Sequence, residues 1–323
     1  MTSLREMMAT GPRTFERLRF EWRQYIVYIG FVALFVAFSI TLGDQGFTES
    51  NNLLNIVRQT ATISVMAVAM TFVIGAAEID LSVGSVAGLS SVICAMALQS
   101  YGLVPGILAG LGIGLAVGVL NGFLVVKIGI PSFLVTLGML GIAHGTAQWI
   151  TDSAPQPILD QTFNNWFGSG EIGPIPGLVV WTVVAVVIGH IILRHTRFGR
   201  GTLATGGNAE AARFSGVPAA RIKFTVMVAS SAVAAIAGML YAGRLESGRF
   251  QWGEGDELSV IAAVILGGSS LFGGRATVIG ALVGSLMIGL INNGLTLMGL
   301  EFSQQQIVRG AIIIAAVALA PRD

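Results

Sequence analysis

The sequence predicts an all-α polytopic membrane protein, with about ten transmembrane helices and a discontinuous helix region near residues 77–85. Three observations lead there. Of the 323 residues, 54% are hydrophobic and only 11% charged, whereas a soluble domain carries roughly a quarter charged residues. Apolar runs recur along the chain, and those of about 20 residues are long enough to cross a hydrocarbon core of roughly 30 Å. The charged residues gather between those runs, where the membrane ends. A formal net charge of +1 with no solvated basic face excludes a nucleic-acid partner. The single cysteine, Cys94, sits inside an apolar run and reads as a small buried hydrophobe, which leaves no disulfide and no cysteine metal cluster.

Residues 1–24 hold Arg5, Arg13, Arg17, Arg19 and Arg23 without an apolar core, so the first span, 25–42, is expected to stay as an uncleaved anchor with a cytoplasmic N-terminus. Spans two to six are expected at 63–76, 83–98, 103–126, 131–149 and 178–193. Residues 151–177 carry Asp152, Asp160 and Glu171 but no Lys or Arg, which places them outside; residues 194–223 carry six basic residues, which places them inside. Four further runs, 224–241, 258–272, 276–297 and 305–319, complete the map. The loop 242–257 must then be external despite Arg244 and Arg249, with four acidic residues offsetting them. Trp149, Trp166, Trp181 and Trp252 fall near span ends, where an amphipathic ring prefers to sit. The whole chain, 1–323, reads as one transmembrane domain.

Gly106, Gly110, Gly114, Gly118 and Gly122 recur every four residues on one face of the fourth span, a packing seam for a neighbouring helix backbone. Gly112-Ile-Gly114 outlines a dinucleotide fingerprint but lacks its strand, turn and helix. Gly268-Ser-Ser-Leu-Phe-Gly-Gly-Arg275 outlines a phosphate loop without its Lys-Ser/Thr pair, so this chain is not expected to hydrolyse ATP; its glycines break the helix between two spans. Gly118-Val-Leu-Asn-Gly122 and Leu290-Ile-Asn-Asn-Gly294 share an Asn-Gly pair in a glycine-punctuated span, as internal transporter repeats do. His144 reads as an interior residue and His190 and His195 as interfacial; none has a second His or Cys at metal-ligand spacing, and no nucleophile and base pair is legible.

Two stretches carry chemistry. Ala77-Glu-Ile-Asp-Leu-Ser-Val-Gly-Ser85 sets Glu78, Asp80, Ser82, Gly84 and Ser85 between apolar runs, where ionisable groups are costly. Asp80, Ser82 and Ser85 can satisfy backbone freed by a helix break beside a translocation path. Paired carboxylates are also what an ion-driven secondary transporter would need, with Glu78 and Asp80 as its ion site. The second stretch is Gly206-Gly-Asn-Ala-Glu-Ala-Ala-Arg-Phe-Ser-Gly-Val-Pro218. Asn208 suits a helix N-cap, Glu210 the first turn and Gly216 the C′ position, and Pro218 stops the helix. Such a short helix, with Ala211 and Arg213 on it, could dock into another protein's groove.

Three blocks, Glu78-Ile-Asp-Leu-Ser-Val-Gly-Ser85, Gly206-Gly-Asn-Ala-Glu-Ala-Ala-Arg-Phe-Ser-Gly216 and Glu257-Leu-Ser-Val-Ile-Ala-Ala-Val-Ile-Leu-Gly-Gly-Ser-Ser-Leu-Phe-Gly-Gly274, occur in the order seen in the ribose-type monosaccharide permeases of bacterial ABC importers, which the chain resembles from about residue 51 to 309. The resemblance implies an inner-membrane permease subunit for a monosaccharide or related polyol, not itself an enzyme. It implies a second permease copy (the same chain or a related one), a cytoplasmic ABC ATPase that holds the ATP and Mg2+, and a periplasmic sugar-binding protein. Asn208, Glu210, Ala211, Arg213 and Gly216 would belong to the coupling helix that meets the ATPase. The chain departs from the family in Glu78, where Gly usually precedes Ile-Asp-Leu-Ser, and in its short end, Ala320-Pro-Arg-Asp323.

Overall fold

The computed structural model describes residues 13–173 and 175–319. Arg5 and the end 320–323 lie outside the described residues, as do the side chains of residues 13–26, 302, 309, 313 and 315–319. The helices are α1 (Arg13–Thr41), α2 (Ser50–Gly75), α3 (Val83–Tyr101), α4 (Leu103–Phe123, extended by a π-helical turn Leu124–Ile128), α5 (Ser132–Ile150), α6 (Gln161–Phe167), α7 (Gly177–His195), α8 (Arg197–Gly207), α9 (Ala209–Phe214), α10 (Ala219–Arg244), α11 (Asp256–Leu266), α12 (Val278–Leu297) and α13 (Phe302–Leu319). Four two-residue strands complete the order: β1 (Gln156–Pro157), β2 (Glu171–Ile172), β3 (Ile175–Pro176) and β4 (Ser247–Gly248).

Among the described residues, seven helices are long and apolar enough to cross a membrane: α2, α3, α4 with its π turn, α5, α7, α10 and α12. The described apolar part of α1, Val27–Thr41, is shorter. The expected eighth span, 258–272, is realised as α11, whose 11 residues rise only about 16 Å. Its helix stops at Leu266 because Gly267 and Gly268 follow, the latter at φ +89°. The expected count of ten crossings is therefore not reached by this measure.

Two 26-residue helices, α2 and α10, form the centre. The helices that follow each of them pack on the other: α3 and α4 lie on α10, and α11 and α12 lie on α2, while α2 and α10 also pack together. The halves are thus interleaved, and neither has a core of its own. Polar residues within the buried helices turn inward on their own backbone: the hydroxyls of Thr60, Ser64 and Thr71 donate to carbonyls four residues back at 2.6–2.9 Å. The two Asn-Gly positions each hold the start of another helix. Asn293 exchanges two hydrogen bonds with Asn52 in the first turn of α2, and Asn121 donates to Ser82 just before α3.

The loops sort onto two faces. β1 pairs antiparallel with β4, which joins 151–177 to the loop 242–257, and Arg58 pairs with Glu171 on that side. The end of α2, the end of α8 and residues 273–274 meet on the opposite, basic face. Pairing of the chain itself thus puts 242–257 beside 151–177, in spite of its two arginines.

The glycines of α4 lie along two neighbours. Gly106 and Gly110 abut Leu98 and Cys94 of α3, and Gly114, Gly118 and Gly122 abut Ala235, Val228 and Phe224 of α10. A Cβ at Gly114 would stand 2.4 Å from that of Ala235, and one at Gly118 would stand 2.7 Å from the Val228 Cα. Gly112 has nothing within 4 Å of its Cβ position. Gly114→Val should destabilise the detergent-solubilised protein by about 2 kcal/mol or more through overpacking. Gly112→Ala should leave the melting transition unchanged or raise it slightly, through helix propensity alone; equal effects at both positions would exclude a close-packed seam.

Candidate functional site

The segment between α2 and α3 leaves the helix in a defined way. Ala77 takes φ +59°, its N–H reaches the Ile74 carbonyl at 2.9 Å and the Glu78 N–H reaches the Val73 carbonyl at 3.0 Å. This left-handed closure satisfies the last carbonyls of α2. The chain then runs without helix to Ser82. A buried, non-helical backbone must find partners elsewhere, and α5 supplies them. Ser132 Oγ accepts the Ile79 N–H at 3.1 Å, and Thr136 Oγ1 accepts the Leu81 N–H at 3.0 Å. The Thr136 hydroxyl in turn has the Ile79 carbonyl at 3.2 Å and the Ser132 carbonyl at 2.9 Å.

Asp80 and Ser82 close the segment. Asp80 Oδ1 accepts both the N–H and the hydroxyl of Ser82, at 2.9 and 2.6 Å, and the Asn121 amide donates to Ser82 Oγ at 3.2 Å. Asp80, Ser82 and Asn121 are all fully buried. Ser230 of α10 faces the same carboxylate, whose Oδ2 accepts no hydrogen bond among the described residues. Ser85 is buried in the first turn of α3.

Gly84 marks a second junction. A Cβ there would lie 2.1 Å from the Gly253 carbonyl oxygen and 2.6 Å from Glu257 Oε2. Residues 248–253 run down α3 in backbone contact: Gly248 against Ser91, Phe250 and Trp252 carbonyls against Gly88, and Gly253 against Gly84. Ser91 Oγ accepts the Arg249 N–H at 3.2 Å and lies 3.1 Å from the Arg249 carbonyl. The N-terminus of α11 thereby meets the N-terminus of α3. The Tyr241 hydroxyl donates to Asp256 at 2.5 Å, the Tyr241 and Trp252 rings stack, and His144 sits edge-on to Phe250 with ring centres 5.2 Å apart.

A third junction lies on the basic face. The Gly274 N–H donates to the Gly75 carbonyl at 3.2 Å, and Gly206 is so close to both that a Cβ would fall 2.0 Å from the Gly75 oxygen. Gly273 abuts Ala77 and Gly206. The third sequence block therefore touches the first at Gly84 and the second at Gly206. Just beyond, Asn208 Oδ1 accepts the Ala211 N–H at 2.9 Å and caps α9, and Gly216 turns the chain out of it at φ +82°. Glu210, Ala211 and Arg213 are exposed, and Phe214 is 78% exposed. A cavity of about 370 Å³ beside α9 is lined by Val125, Val126, Glu210, Arg213 and Lys223, among others. Lys223 also pairs with the nearly buried Glu78 at 2.5 Å.

The residues not singled out in the sequence are those that surround the two junctions: Ser132, Thr136, Asn121, Ser230, Lys223 and Gly253. Two signals were present. Ser132 and Thr136 stand four apart at the start of a span, on one helix face. Asp80-Leu-Ser-Val83 and Glu257-Leu-Ser-Val260 repeat a carboxylate-Leu-Ser-Val motif, and the two copies meet at Gly84.

A family model described as the permease component of branched-chain amino acid transport systems matches residues 52–317. The ribose import permease protein of Bacillus subtilis is 38% identical over 292 residues, 90% of this chain and 91% of that protein. A probable ABC transporter permease protein of Escherichia coli is 40% identical, over 88% of this chain and 85% of its own length. The L-arabinose ABC transporter permease protein of Azospirillum brasilense is 36% identical, over 89% and 84%. No solved structure matches. Similarity of this extent, running through all three of the blocks that meet in the fold, makes the chain a member of the ribose-type ABC transporter permease family.

Proposed function

We propose that this chain is the translocation subunit of an ATP-driven importer for a monosaccharide or related polyol, held in the inner membrane of a bacterium. The observation that carries the reading is α9: a capped, exposed helix on the basic face, joined through one short turn to the central helix α10 and lying against the cavity that Lys223 lines. Such a helix has a use when a second protein pushes on it. By the positive-inside rule that face is cytoplasmic, where an ABC ATPase would bind ATP and Mg2+ and dock on Asn208–Gly216. The relatives named for ribose and L-arabinose transport point to sugars. A sugar-binding protein would deliver them on the opposite face, where 151–177 and 242–257 pair.

A second permease copy would complete the pathway. Gly138, Gly141 and Gly145 of α5 have nothing within 4 Å of their Cβ positions, a small-residue face of the kind against which another helix packs closely. Between the copies, weak polar contacts with the sugar serve better than tight ones, because strong binding would slow exit. Asp80, Ser82 and Gly84 would then hold the non-helical segment and the α3 start beside that path. The alternative of a lone ion-driven carrier requires Glu78 and Asp80 to be open to an ion. Glu78 is engaged by Lys223, and Asp80 accepts two hydrogen bonds from Ser82, which favours the importer.

Co-expressed with the ATP-binding and sugar-binding proteins of its own importer, the tagged chain should co-purify with the ATPase. Phe214→Ala or Glu210→Lys should weaken that association at least about tenfold, as loss of an exposed anchor does, with membrane insertion intact; undiminished co-purification would remove α9 as the docking element. Asp80→Ala leaves the buried Ser82 N–H and hydroxyl without their acceptor, a loss of about 3 kcal/mol. It should therefore lower both the melting transition and transport in proteoliposomes, whereas normal transport by the folded variant would sink the proposed role of Asp80.

A further inference from the structure

Glu78 is a carboxylate at the end of α2 with its side chain only 8% exposed, paired with Lys223 in the first turns of α10, whose side chain is 28% exposed. We propose that this pair is a strut through which movement of α9 is carried to the non-helical segment 76–82, a role that rests on the importer reading above. Lys223 has one side toward the cavity shared with Glu210 and Arg213 of α9 and its ammonium on Glu78. Between α9 and Lys223 the chain is short and internally bonded: the Val217 N–H donates to the Ala212 carbonyl at 2.9 Å, the Ile222 N–H to the Pro218 carbonyl at 3.1 Å, and Pro218 fixes its own φ. A push on α9 therefore displaces the first turn of α10 as well.

On the other side of the pair, slack is equally small. Glu78 is tied by its N–H to Val73 of α2, and its two neighbours in the chain are the left-handed Ala77 and the α5-bound Ile79. Two residues on, Asp80 and Ser82 set the start of α3. Breaking one partner of such a pair leaves a nearly buried charge uncompensated, so the two side chains move together more readily than they part. Glu78–Lys223 joins this segment to α10, whereas the Arg58–Glu171 pair lies on the opposite face.

The test uses the assembled complex in proteoliposomes and reads ATP hydrolysis with and without the importer's sugar-binding protein. Glu78→Gln and Lys223→Gln should each lower the stimulation ratio about fivefold or more, the size of a typical coupling between sites. The double variant should match either single one, because all three break the same link. An unchanged ratio in assembled complexes overturns the strut, and so does a double variant whose loss is the product of the single losses. Should a single variant fail to assemble, the double variant, which leaves no unpaired charge, carries the comparison with wild type. A wild-type chain that neither binds the ATPase nor shows stimulation would instead overturn the importer reading, and the strut would fall with it.

Discussion

The segment 76–82 imposes the constraint on which the site is built. Its backbone is neither helix nor strand, and Glu78, Asp80 and Ser82 on it are buried, so its N–H groups need acceptors that helix geometry would otherwise have supplied. Hydroxyls from α5, the carboxylate of Asp80 and the amide of Asn121 provide or organise those acceptors. Two helices, α4 and α5, are thereby fixed around one short piece of chain. An arrangement that places non-helical backbone among membrane-crossing helices is costly, and here hydrogen bonds from the neighbouring helix α5 hold it.

Glycine solves the complementary problem of bringing backbones together. At Gly84, Gly206 and Gly274 the contacts are between main-chain atoms, and a single added carbon would fall 2–3 Å from its neighbour. Side chains would hold these junctions apart and open space for lipid or water. The same device on α4 lets α3 and α10 approach on adjoining faces. Dispersion grows steeply as backbones close, and in a membrane it must supply attraction that the hydrophobic effect supplies in water. The interleaving of α2 with α11 and α12, and of α10 with α3 and α4, then follows from where these close approaches fall.

Charge is used sparingly and in register with function. Asp80 is spent inside the structure on the N–H and hydroxyl of Ser82, whereas Glu78, two residues earlier, faces a cation that also lines a surface cavity. One stretch of sequence thus holds a fixed carboxylate and a carboxylate within reach of the surface. Their difference comes from the turn at Ala77, which ends α2 at the basic face, and from the extended run that carries the chain inward past α5.

The sequence by itself determined the class, the long apolar helices, the capped helix at Asn208 and the glycine face of α4. These are local properties: hydropathy, caps and periodicity depend on neighbours within a few residues. Only the tertiary structure decided that 258–272 holds a half-length helix, that Arg249–Gly253 runs down α3, and that Glu78 belongs to Lys223. A run of apolar residues reads alike whether it crosses a membrane or dips into a bundle, because the difference lies in what packs beside it. A lone Glu between apolar spans likewise names no partner. The lysine that answers it is 145 positions away, and the fold alone brings the two together.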